Sequence, residues 1–324
     1  MKCTIRFGAV LVTGLLITGC SNKLSPGDNN TKSEFRVLGY LASSRNWING
    51  INAIDLSAIT DLNLAFINPD SSGNFPLNDD LKTIIQKAHA GKVRVFASIG
   101  GGSPPQWLAS LLTPERRPFF ISNIVSLAET YNLDGIDVDI ENELINDQYA
   151  GFVSDLAAAI KPKKKLLTAA LASWNGDLIH DTTLRRYDFI NIMSYDKTGP
   201  WDTTRPGQHS PFSMVNDDFN YFSGKRKISP DKLLVGLPFY GYGFGAGAAF
   251  GMSYRQIIAA YPEAQWKDEI TTAEGATIYY NGIATIKQKA VFAKQKKTSG
   301  VMIWQLLGDT TGSLSLLHAI NEVK

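Results

Sequence analysis

Cysteine is almost absent: Cys3 and Cys20 are the only two in 324 residues. Both stand within the first twenty positions, so the chain beyond them has no disulfide framework and no thiolate metal site. Histidine is nearly as scarce. His89, His180, His209 and His318 show no HExxH or similar spacing by which a helix presents two imidazoles to zinc, so each reads as a surface or core residue and no metal is expected. An excess of either charge is also missing. With 32 basic and 30 acidic residues, the chain lacks the basic stripe of a nucleic-acid binder, and its densest basic cluster, Lys161–Lys165, reads as a solvated helix end. The triple glycine Gly100–Gly102 lacks the lysine and hydroxyl residue of a phosphate loop; it reads as room for close backbone approach, and no cofactor is implied.

Long apolar runs are lacking at the N-terminus too. Val10–Ile17, broken by Thr13 and Gly14 and preceded by Lys2 and Arg6, is too short to span a bilayer as a stable helix. It ends in Leu16, Ile17, Thr18, Gly19, Cys20, which resembles a bacterial lipoprotein signal, cut before a cysteine that is then acylated. The resemblance implies a signal peptide over 1–19, lipid on Cys20, attachment to a membrane of the cell envelope, and a tether over 20–34 whose polar residues Ser21–Ser33 can bury nothing. An ordinary secretory peptide with an incidental cysteine is the alternative. Without Lys2 and Arg6 the balance is 30 basic to 30 acidic residues.

The remaining residues, 35–324, are enough for one large core; a barrel needs roughly 250. Strand-like apolar runs recur near Arg36–Ala42, Leu62–Ile67, Val93–Gly100, Gly135–Glu141, Leu166–Ser173, Phe189–Tyr195, Leu233–Tyr240 and Gly300–Leu306. Helical periodicity falls between them at Asp79–His89, Pro114–Tyr131, Asp147–Ile160, Ile283–Lys296 and Ser313–Val323. The segments after the first, fifth and sixth strands are poorly periodic and predict only short helices. Strands alternating with helices make a parallel sheet, and eight such units predict closure into a single α/β (β/α)8 TIM barrel, with a doubly wound open sheet as the alternative.

The chemistry concentrates in Leu133–Glu141, LDGIDVDIE. Residues two apart in a strand share a face, so Asp137, Asp139 and Glu141 line one side while Ile136, Val138 and Ile140 pack on the other. Carboxylates this close repel when ionised, so the set retains at least one proton. Three oxygens side by side along one strand do not surround a cation, which argues against a metal site.

LDGIDVDIE resembles the DGxDxDxE signature of family 18 glycoside hydrolases, the chitinases and endo-β-N-acetylglucosaminidases. Ser98–Gly101 resembles the family's SxGG, Met193–Asp196 its M-S/T-Y-D, and Gly199, Pro200, Trp201 also recur in bacterial chitinases. Gly39 and Tyr40, Leu237–Gly241 and Gly300–Trp304 fit in order and spacing across 35–324. The resemblance implies substrate-assisted, retaining hydrolysis of a polysaccharide or glycan containing N-acetylglucosamine, by a protein that works as a monomer. Glu141 would be the proton donor, Asp139 would orient the substrate acetamido group and share its proton with Asp137, and Tyr195 would donate to the acetamido oxygen. Asp196 and Met193 would shape that pocket, Ser98 would hold the inner aspartate, Trp304 would floor the sugar site, and Tyr40 and Trp201 would line its wall.

Two positions depart from the family. Gly102 stands where many chitinases have tryptophan, with Trp107 nearby, and Tyr242 stands where many have arginine. The stretch Tyr242–Asn281 is too short for the α+β insertion that walls the groove in many members. It reads as a short helix near Tyr254–Tyr261 and a polar turn, leaving an open cleft. Chitinase, endo-β-N-acetylglucosaminidase acting on N-glycan chitobiose cores, and a non-catalytic sugar-binding protein are the competing functions; an intact Asp137, Asp139, Glu141 set disfavours the last.

Overall fold

The structure, a computed structural model, describes Met1 and residues 35–43 and 46–324. The signal peptide, Cys20 and the tether expected from the sequence lie outside the described residues.

Glu34–Lys324 form one compact unit. Through the first half of the chain, β1 (Arg36–Ala42), α1 (Trp47–Asn52), β2 (Asp61–Ala65), α2 (Asp79–Ala90), β3 (Arg94–Gly100), α3 (Leu108–Leu111), α4 (Arg117–Thr130), β4 (Gly135–Asp139) and α5 (Asp147–Ile160) alternate. Then follow β5 (Leu166–Leu171), α6 (Asp181–Leu184), β6 (Phe189–Ile192), α7 (Phe212–Phe219) and β7 (Leu233–Pro238). An antiparallel insertion carries β8 (Tyr240–Phe244), β9 (Gly251–Ser253), α8 (Tyr254–Ala260), β10 (Glu269–Thr271) and β11 (Thr277–Tyr279). The chain ends with α9 (Ile283–Gln295), β12 (Gly300–Trp304) and α10 (Leu316–Asn321). Strands β1 to β7 and β12 pair in parallel and close, β12 bonding to both β1 and β7. The eight expected barrel strands are all present, and the poorly periodic segments hold short helices, α1, α6 and α7.

The period-2 pattern of the strands sorts side chains into two apolar layers. Ile136, Val138 and their counterparts face the helices, while Leu38, Phe96, Phe189, Leu234 and Met302 fill the barrel axis. At the N-terminal mouth, buried Asp61 takes ion pairs from Arg36 at 3.1 Å and Arg94 at 2.9 Å. The paired carboxylate closes that end, leaving chemistry to the C-terminal rim.

Two expected helices are shorter. The Thr113 carbonyl accepts from both Arg116 and Arg117 N–H groups, so residues 113–116 form a turn and α4 starts later than Pro114. Near the C-terminus, Asp309 accepts the N–H groups of Leu316 and Leu317, and Ser315 caps His318. These bonds start α10 after Ser315 rather than at Ser313.

The inserted stretch holds more than the expected helix and turn. Beside α8, capped by Ser253 and Gln256, its four short strands form an antiparallel sheet in the order β10-β11-β8-β9. Glycine at Gly241, Gly243 and Gly251 and strand lengths of three to five residues left no alternating pattern to read.

Candidate active site

The acids of β4 lie at different depths of one shaft. Asp137 is wholly buried and saturated: Oδ2 accepts from Tyr40 Oη at 2.7 Å and Ser98 Oγ at 2.8 Å. Its Oδ1 accepts from Thr168 Oγ1 at 2.6 Å and Asn191 Nδ2 at 3.1 Å. Burial raises its pKa and these four donors pull it back. Asp139 is also buried, yet Oδ1 has no hydrogen-bond partner among the described residues. Burial, then the charges of Glu141 and Asp137, hold its pKa well above the usual carboxylate range, and it shares a hydrogen bond with Glu141. Glu141 is raised too, by burial and then by the charge of Asp196. The Asp139–Glu141 pair therefore titrates as a unit that keeps a proton beyond ordinary carboxylate pH.

Glycine lets the neighbouring strand reach these acids. Gly100 has φ +112° and a Cβ there would overlap the Asp139 carbonyl; Gly101, at φ +91°, donates its N–H to that carbonyl at 2.7 Å. The close approach expected of the glycine run is thus made across β3 and β4.

A cavity of about 170 Å³ opens above the acids, lined by Phe66, Gly102, Asp139, Glu141, Trp174, Met193, Tyr195, Asp196 and Trp304. Trp304 lies stacked with Phe66 at 5.7 Å and edge-on to Tyr40 at 5.3 Å. Among the described residues, the hydroxyl of buried Tyr195 has only the Met302 sulfur, 3.8 Å away, as partner; this weak acceptor leaves the O–H available. Asp196, at φ +61°, accepts from Tyr240 Oη at 2.5 Å, and its N–H donates to His209 Nδ1 at 3.5 Å. Burial lowers His209 against the upward pull of the Asp196 carboxylate, whose Oδ1 lies 3.4 Å from Nδ1, while Nε2 faces the Tyr240 carbonyl at 3.3 Å.

Asp139, Glu141, Met193, Tyr195, Asp196 and Trp304 meet at this cavity, with Asp137 and Ser98 directly below. Tyr40 needs correction: it is 1% exposed and spends its hydroxyl on Asp137, so it supports the shaft beneath Trp304 instead of lining a sugar wall. Trp201 lies beyond the cavity, 54% exposed, on an adjoining groove of about 440 Å³ that shares Trp174 and Asp196 with it. Trp107 does not line the cavity beside Gly102; its indole N–H donates to the Pro69 carbonyl at 3.0 Å.

The inserted stretch packs against the exposed Trp201 indole beside the groove. Tyr242 meets Trp201 edge-on at 5.1 Å, with Phe250 6.5 Å from the same indole. Thr168, Asn191, Phe66, Trp174 and Tyr240 are site residues the sequence reading missed. Phe66 directly follows β2 and Trp174 comes three residues after the end of β5, the one positional signal available. Among the described residues, no group of three or more His, Cys, Asp or Glu side chains is placed to hold a metal ion.

The family model described as Glycosyl hydrolases family 18 matches residues 36–309. Among solved structures, a chitinase from the chitin utilization locus of Flavobacterium johnsoniae superposes with a TM-score of 0.82 at 35% identity, over 90% of this chain and 94% of its own. Nod factor hydrolase protein 1 of Medicago truncatula is 24% identical over 80% of this chain and 83% of its own length. A chitinase-like effector of Moniliophthora roreri is 27% identical over 65% of this chain, which spans 60% of that protein.

Proposed function

The chain belongs to family 18 of the glycosyl hydrolases, and on that premise we propose that it cleaves β-1,4-linked N-acetylglucosamine chains by substrate-assisted catalysis with Glu141 as proton donor. The observation that carries this reading is the state of Asp139. Its carboxyl is buried and proton-retaining, bonded to Glu141, and Oδ1 is left unpartnered at the cavity. A buried acceptor without a partner costs about 1–3 kcal/mol, a cost that a substrate acetamido N–H would remove on binding.

The geometry supports the following steps. Glu141 gives its proton to the glycosidic oxygen as the C1–O bond breaks, and the acetamido carbonyl oxygen of the same sugar attacks C1, forming a cyclic oxazolinium. Asp139 accepts the acetamido N–H and shares its proton with Glu141 across the hydrogen bond between them, so that the negative charge left on the pair faces the developing positive charge, above Asp137 and its four donors. Tyr195 donates its free O–H to the acetamido oxygen. Water then opens the ring from the face the leaving group left, with Glu141 taking back a proton, so configuration is retained. Family 18 is an exception to the two-carboxylate scheme of most glycosidases, since the substrate supplies the nucleophile.

Trp304 and Phe66 offer apolar faces for the sugar that reacts, and Trp174 and Trp201 offer faces for the sugars beyond the cleaved bond. The signal ending in Cys20 supports a lipid-anchored enzyme of the cell envelope. Product analysis on N-acetylated chito-oligosaccharides and, in parallel, a high-mannose glycoprotein tests the reading. Cleavage of the oligosaccharides with the β-anomer released first is expected. Cleavage of the glycoprotein alone would shift the substrate to the chitobiose core, and cleavage of neither would refute the enzyme reading.

A further inference from the structure

Lys289, on α9, is wholly buried, and no catalytic step above uses it. Its ammonium donates to three neutral oxygens, the Ser210 carbonyl, Ser210 Oγ and Asn281 Oδ1, each at 2.6 Å. No carboxylate touches it. A buried cation held only by neutral acceptors is costly unless the bonds organise something.

What they organise is the wall of the cavity. Ser210 Oγ donates its own O–H to the Ser194 carbonyl at 2.5 Å, between Met193 and Tyr195. The preceding residue, His209, receives the Asp196 N–H. Asn281 Nδ2 returns to the Ser210 carbonyl at 3.1 Å, so α9, the loop before α7 and the segment after β6 are tied at one nitrogen. We propose that Lys289 is a positioning residue whose ammonium, acting through Ser210, holds the Ser194–Asp196 segment and thereby sets the sugar-binding wall formed by Tyr195 and Asp196. The proposal rests on the carbohydrate reading of the cavity for its effect on binding.

All three N–H donors are needed. A neutral amine has two, and its lone pair would draw the Ser210 proton, releasing the Ser194 carbonyl. The titratable and charged groups facing Lys289 are Asp218 on α7, Asp268 ahead of β10, and His209. Burial pushes Lys289 down to about 7 against the upward pull of Asp268 and Asp218, while His209 is held below its ordinary value by burial. The ammonium is therefore lost as pH rises through neutrality, and the wall loosens on the alkaline side.

Two readouts test this. In a Glu141→Gln background, affinity for tetra-N-acetylchitotetraose is expected to fall about 2- to 10-fold from pH 6 to 8.5, the worth of one net hydrogen bond. Lys289→Met and Ser210→Ala should bind more weakly by that factor at pH 6 and lose the pH dependence; Ser210→Ala keeps the buried lysine and serves if the methionine variant does not fold. In the ligand-free chain, the Asp196 backbone amide signal followed by NMR should titrate near pH 7 and cease to do so in Ser210→Ala. Ser210→Ala with parental affinity and pH dependence, or an Asp196 amide silent near pH 7, overturns the role of Lys289. An amide that titrates in a chain binding no sugar at any pH would leave the brace standing and remove the carbohydrate reading instead.

Discussion

Thr168→Val removes one hydroxyl at constant shape from a side chain that is wholly buried. That hydroxyl donates to Asp137 Oδ1 at 2.6 Å and leads the four donors that pull the Asp137 pKa down against burial. Valine leaves Oδ1 with Asn191 alone at 3.1 Å. A hydrogen bond to an ionised group contributes about 1.5–3 kcal/mol, and one to a neutral group about 0.5–1.5 kcal/mol. The penalty must therefore depend on the protonation state of Asp137. The substitution raises the folded-state pKa further and leaves the unfolded value unchanged. A carboxyl raised on folding gives up stability as pH rises through its folded pKa, so the variant's deficit grows upward in pH. Each tenfold tightening of proton binding adds about 1.4 kcal/mol to it at the upper end. Urea unfolding of parent and variant at pH 4 and pH 8 measures the two deficits. About 1.5–3 kcal/mol at pH 8 and a clearly smaller value at pH 4 are expected. Equal deficits, or a larger one at pH 4, would refute the claim that Asp137 is held as an anion by its donors.

Trp174→Ala should raise KM for a tetramer or longer substrate about 2- to 10-fold, the worth of one aromatic contact, with kcat nearly unchanged; an unaltered KM would take the indole out of the substrate path. Asp196→Asn removes the charge that, after burial, raises Glu141, so the alkaline limb of kcat/KM should move to lower pH, and a limb that stays or rises would contradict the donor's electrostatics. Cys20→Ser should release the protein from the membrane fraction; wild-type protein found soluble and unacylated would favour the ordinary secretory peptide.

The alternation in LDGIDVDIE sufficed to put three carboxylates on the inner face and three aliphatics on the outer, because a strand's period is a local property. The eight strands were legible for the same reason. Thr168 and Asn191 were not: they reach Asp137 from 31 and 54 residues away, and the neighbours that give them a role exist only once the barrel closes. Tyr240 looked like the end of a strand, and only the turn that brings Asp196 to its hydroxyl makes it part of the site. His209 read only as a surface or core residue, and nothing in the sequence marks Lys289, because burial, which changes both pKa values, is a tertiary fact. The inserted sheet escaped notice since its strands are short, three to five residues, and β8 and β9 carry glycines, which leaves too little alternation to detect.

The central claim is that Glu141 delivers the proton. Glu141→Gln keeps the side chain's size at the cavity but removes the acid. Turnover of N-acetylated chito-oligosaccharides by the variant should fall roughly 10²- to 10⁴-fold, the usual contribution of a positioned general acid, while the affinity for the same oligosaccharide is retained. Hydrolysis at a rate close to that of the unmodified protein would contradict the account.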